Sequence, residues 1–141
     1  MMLTYILKAA ENFCIHQIRL PHQIITEFPK KRTLLAYLDI EAHDGEKYRT
    51  YIGCDETLLL CISEIFLGQE ITDTETLRDM LLETTNMIVG SAKVLCEEDN
   101  CNTFNISTPH LLDSDSLDMP FDKYNTIHIA DGEIFMALKA L

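Results

Sequence analysis

Asp79, Glu83, Asn86 and Gly90 follow one another at spacings of four, three and four. On a helix turning about 100° per residue they fall within roughly 60° of arc and form one stripe. Carboxylates accept hydrogen bonds and attract cations, and an amide donates and accepts at once without changing charge. Such a line is equipped for positioning and electrostatics. Gly90 closes it, although a glycine inside a helix costs ~1 kcal/mol relative to alanine. On an exposed face its use is to let another backbone or side chain come close. Leu82 and Val89 lie to one side of the stripe and Met80, Met87 and Val94 to the other, while Leu77, Leu81, Ile88 and Leu95 point the opposite way as a core face should. Leu82, Val89, Met80 and Met87 are expected to be exposable, giving the stripe the surroundings of a docking surface.

The plainer explanation is the solvated side of an amphipathic helix. With 12 Glu and 6 Asn in 141 residues, chance supplies about half a Glu-x-x-Asn match. A second one does occur, Glu97 with Asn100, but at the frayed end of the same helix. The glycine and the apolar flanks are what set the first apart.

The elements that must carry the stripe can be read from period and punctuation. Leu3, Ile6, Leu7, Ala10, Phe13, Cys14 and Ile18 keep a helical rhythm, which Pro21 stops. A short extended stretch over 23–27 comes next, then the basic run Lys30-Lys31-Arg32. Leu34, Ala36, Leu38 and Ile40 alternate as a strand over 33–40, and Asp44-Gly45 turns it into a second strand over 48–53. Asp55 is a good N-cap for a helix over 56–67 closed by Gly68. That helix is apolar almost all round, so burial is expected. Thr72 with Glu75 forms a capping box for the long helix, 74–97. A short strand over 103–108 ends at Pro109, and an acidic irregular stretch over 111–123 holds Asp113, Asp115, Asp118 and Asp122. Asp131-Gly132 joins two last strands, 125–130 and 133–138. Each half is thus a helix followed by about three strands. The expectation is one α+β domain spanning 1–141.

Composition narrows the partners. The net charge is -12, from 11 Lys+Arg against 23 Asp+Glu, which leaves no basic footprint for nucleic acid and would be repelled by anionic membranes. A partner with a basic face is favoured. The first ten residues do not read as a signal peptide, and no apolar run approaches the ~20 residues of a membrane span. Five scattered cysteines look like reduced thiols used as small hydrophobes, so a cytoplasmic location is expected. Cys96, Cys101 and His110 are too loosely spaced to predict zinc. The five histidines stand apart, and neither a phosphate loop nor a nucleophile elbow is visible.

The run from Asp79 through Glu83, Asn86 and Gly90 to Lys93 resembles the signature helix of the CheC/CheX chemotaxis phosphatases. Ile106-Ser-Thr-Pro109 is similar to the strand and proline that follow it, and Glu133 to Lys139 to the family's last strand. Element order agrees along nearly the whole chain. The first helix offers Glu11 but Cys14 where a second motif would need Asn, which places the chain with the single-motif, CheX-like members.

This resemblance implies a CheC-like fold, a mixed, mostly antiparallel sheet of about six strands covered by long helices, and a homodimer joined at sheet edges. It implies a phosphatase acting on the aspartyl phosphate of a CheY-type response regulator in chemotaxis signalling. Asn86 would enter the partner's reaction centre and orient the attacking water. Glu83 would reach a lysine of the partner, Asp79 would be an auxiliary contact, and Gly90 would give room. The chain would hold no metal or cofactor of its own, with Mg2+ supplied by the response regulator. The alternative from another class is a CheX-like adaptor that docks a receiver domain or flagellar switch protein without catalysis.

Overall fold

The computed structural model describes residues 2–100, 103–112, 117 and 119–141. Most of the acidic stretch (Asp113, Asp115 and Asp118) and Cys101 lie outside the described residues.

Helix α1 (Met2–Phe13) buries Leu3, Ile6, Ala9, Ala10 and Phe13, the spacing of one helical face. It widens into a π-helical turn over Cys14–Ile18. Arg19, with φ 62°, ends it by donating its N–H to Cys14 O at 2.7 Å. Strands β1 (His22–Ile25), β2 (Thr33–Ala42) and β3 (Lys47–Asp55) follow. Helices α2 (Glu56–Leu67) and α3 (Thr74–Glu98) come next, then β4 (Phe104–Ile106), β5 (His110–Leu111), β6 (Lys123–Ile129) and β7 (Gly132–Ala140).

The seven strands form one sheet in the order β1-β6-β7-β3-β2-β4, with β5 also paired to β2. Every one of these pairings is antiparallel. The order shows how the two halves combine. The hairpins β2-β3 and β6-β7 meet at the centre through β3 and β7. Each half's short strand crosses over to the other half's hairpin: β1 pairs β6, and β4 pairs β2. Neither half could complete its sheet alone, which argues for folding as a unit. Long-range pairing of this kind was not readable from local period.

The even residues of β2 (Ala36, Leu38, Ile40) and their partners in β3, β6 and β7 face the three helices and form the main core with Ile6, Leu59, Leu81 and Ile88. The opposite face is aromatic. Phe135 and Tyr51 are buried there beneath Tyr124 and Phe121, and the Phe121 ring meets Tyr51 at 5.0 Å and Phe135 at 5.3 Å, both edge to face. Both faces of the central strands are therefore covered.

Two buried carboxylates fix the start of α2. Asp55 Oδ2 accepts the Leu58 N–H at 3.2 Å as its N-cap, and Oδ1 accepts the Glu133 N–H at 2.6 Å. Glu133 in turn accepts backbone N–H groups of Lys30 and Lys31 and lies 2.9 Å from His128 Nε2. Gly132 is needed here for a reason other than the expected turn. The two-residue turn is Ala130-Asp131, because Ile129 pairs directly with Gly132. A Cβ on Gly132 would stand 2.7 Å from Leu58 Cβ, so glycine lets α2 lie close against β7.

Three expectations need correction. The N-cap of α3 is Asp73, whose carboxylate accepts the Thr76 N–H at 2.9 Å, so the helix starts from an Asp cap instead of the Thr72–Glu75 box. Helix α2 is buried only along Leu58, Leu59, Ile62 and Ser63; its end, Ile65 to Leu67, is exposed. Cys96 is disulfide-bonded, whereas Cys14, Cys54 and Cys61 are free thiols.

Candidate functional site

Helix α3 is held on three sides. Leu77, Leu81, Ile88, Val89, Ala92 and Cys96 are buried along its inner face, with the small polar Thr84 and Thr85 between them. Thr85 returns its hydroxyl to Leu81 O at 2.8 Å, a local bond that needs no partner from outside the helix. Helix α1 lies alongside, and Tyr5 near its start donates to Asp99 just past the end of α3 at 3.1 Å, so the two run antiparallel. Helix α2 supports α3 as well. A 25-residue helix so braced is a rigid support for whatever its outer face carries.

That outer face carries the stripe. Asp79, Glu83 and Asn86 are all exposed and Gly90 is half-buried. Rising about 1.5 Å per residue, Glu83 and Asn86 stand roughly 4.5 Å apart along the axis, and Asp79 to Gly90 spans roughly 16 Å. Among the described residues no hydrogen bond or ion pair engages the side chains of Asp79, Glu83 or Asn86. A Cβ built on Gly90 would meet nothing within 4 Å. The chain's own packing therefore does not require glycine at this place.

The flanks differ from the expectation in part. Leu82 and Met87 are half-buried and Val94 is 52% exposed, but Met80 and Val89 are buried at 7% and 0%. Both turn under α3 into the core, so the apolar border of the stripe is Leu82, Met87 and Val94. Leu95, expected in the core face, is only half-buried.

The stripe is a convex helix surface. A groove of about 320 Å³ does exist between β2, β3 and β4, lined by Asp39, Glu41, Lys47, Asn105, Ser107 and neighbours. None of its lining residues belongs to the stripe. A surface that projects free polar groups, and does not enclose a ligand, is suited to entering the site of another macromolecule.

The corresponding positions on α1 are occupied otherwise. Glu11 is half-buried with its Oε2 3.0 Å from His22 Nε2. Cys14 is fully buried, and burial pushes its thiol up to about 12. Neither is free to meet a partner. Among the described residues no group of three or more His, Cys, Asp or Glu is gathered as a metal site, and no helix is long and apolar enough to cross a membrane.

The family model for the chemotaxis phosphatase CheX matches residues 40–131, which takes in β3, both α2 and α3, and β4 to β6. The chain belongs to the CheX family. Its fold is shared with CheX from Vibrio vulnificus, at a TM-score of 0.80 and 20% identity over 99% of this chain and 96% of that one. CheX from Desulfovibrio desulfuricans superposes at 0.74 with 18% identity, covering 99% of each. The CheX-CheY-BeF3-Mg2+ complex from Borrelia burgdorferi superposes at 0.71 with 13% identity, over 99% and 98%. No curated protein matches the chain. The α+β class and the CheC-like architecture thus stand, with seven strands where about six were expected.

Proposed function

We propose that this CheX-family chain removes the phosphoryl group from the aspartyl phosphate of a CheY-type receiver domain. The observation that carries the reading is the unengaged, outward stripe of Glu83 and Asn86 on a braced helix. An aspartyl phosphate is a mixed anhydride and already activated. Its hydrolysis needs a water held in line with phosphorus and the phosphoryl charge stabilised, with no covalent intermediate on the helper. Asn86 fits the first task, because its carboxamide can accept from the water and donate to a phosphoryl oxygen together. Glu83, one turn earlier, pairs with a lysine of the receiver and fixes the register of the insertion. Asp79 adds an outer contact, and Gly90 leaves space for the receiver's backbone.

Magnesium belongs to the receiver in this scheme. The Borrelia structure that shares this fold is a CheX bound to CheY with BeF3 and Mg2+, and the stripe here presents too few ligands to hold a cation alone. Among the described residues β1 and β4 end the strand order, and these are the edges where a second copy would add strands.

The test is phosphate loss from an isotopically labelled receiver domain with and without this chain. Acceleration over the receiver's own decay is the expected result. Binding without acceleration would make the chain an adaptor, and no binding to any chemotaxis receiver of its own organism would remove the reading.

A further inference from the structure

We infer that the junction of α2 and α3 is a second docking surface, separate from the stripe, for a basic amphipathic helix of a partner protein. Residues 64–70 are exposed without interruption. Within them Ile65, Phe66 and Leu67 are 45%, 39% and 47% exposed. Three consecutive residues turn through roughly 200° of a helix, so the last turn of α2 projects as an apolar knob. Phe66 is partly supported, its ring stacked 6.1 Å from that of Phe13, and Ile71 is buried beyond the knob at 7%. The knob is thus anchored at both ends. Three large apolar side chains left together in water are costly without a partner.

The charge around the knob says what kind of partner fits. Glu64 directly precedes it, Glu70 follows within the same exposed run, and Glu75 stands exposed in the first turn of α3. No Lys, Arg or His occurs between Arg49 and Arg78. The last turn of α2 carries no basic residue, so the partial negative charge of its final carbonyls is not offset. An apolar centre with glutamates along its α2–α3 side is complementary to a helix with apolar residues on one side and lysines or arginines beside them. An acidic or neutral apolar segment would leave these glutamates unpaired.

A synthetic helical peptide with leucines along one face and lysines along the other serves as the probe, with fluorescence anisotropy as readout. Micromolar binding is expected. Ile65→Ser with Leu67→Ser should weaken it about tenfold, and so should Glu64→Lys with Glu70→Lys; these side chains are exposed, so the variants should keep the wild-type circular dichroism and melting curve. Asn86→Ala should leave peptide binding unchanged, which separates this surface from the phosphatase reading. The inference falls if a peptide of equal charge with its leucines scattered binds equally well, since that is general attraction to an acidic protein. It also falls if the serine variants bind as wild type does, or if sedimentation shows that the knob is instead buried in a self-dimer.

Discussion

Helices α1 and α3 occupy related places in the two halves, each preceding a short strand that crosses to the other half's hairpin. They treat the same kinds of residue in opposite ways. On α3 a glutamate and an asparagine three residues apart project into water unengaged. On α1 the glutamate at the same spacing is held by His22 and the position of the amide is a buried thiol. The packing around the two explains the divergence. Cys14 lies where the helix widens into a π turn and its side chain is carried inward, whereas α3 stays α-helical through its motif and keeps the polar arc outside. The proposed activity therefore rests on one helix, with α1 packed against it.

The largest expected effect falls on the amide. Asn86→Ala should lose about 10²-fold or more of the acceleration of receiver dephosphorylation, the scale for removing one preorganised polar group from a reaction centre. Transplanting the amide should fail. Cys14→Asn should add no activity and lower stability by about 2 kcal/mol in a denaturant titration, because it buries an amide in an apolar site. Activity arising from that variant would break the comparison.

Glu83→Ala should raise KM about tenfold with a smaller change in kcat, if its carboxylate sets register by pairing across the interface. Gly90→Ala separates folding from docking. No neighbour meets the new methyl, so the helix should gain up to about 1 kcal/mol while receiver binding weakens.

The smallest effect is on α1 and on pH. The free Cys14 thiol ionises near 9.0, but burial holds it protonated in the folded chain up to about 12. The unfolded chain therefore releases a proton that the folded chain keeps, and stability should fall as pH rises through that window. Denaturant midpoints at pH 8 and pH 10.5 would show the direction. At pH 8 the folded protein should show no alkylation of Cys14 by iodoacetamide.

The stripe was legible in the sequence because a helix repeats every 3.6 residues and the polar positions obey that period. The ends of α2, its Asp55 cap and its Gly68 stop with φ 69°, were legible for equally local reasons. Burial was less so. Met80 and Val89 border the polar arc on a helical wheel, yet α1, α2 and the sheet enclose enough of α3 to take both inside. The apolar circumference of α2 invited the opposite error, since nothing local says that the helix outruns its support after Ser63. Strand order was not readable at all, because β1 pairs with a strand about a hundred residues further along the chain and β4 with one about sixty residues back.

Binding and turnover measured together on Asn86→Ala test the central claim most directly. The variant should bind a beryllofluoride-loaded receiver within about threefold of the wild-type dissociation constant, while the phosphorylated receiver decays in its presence at its own unassisted rate. Dephosphorylation by Asn86→Ala at the wild-type rate would contradict the account.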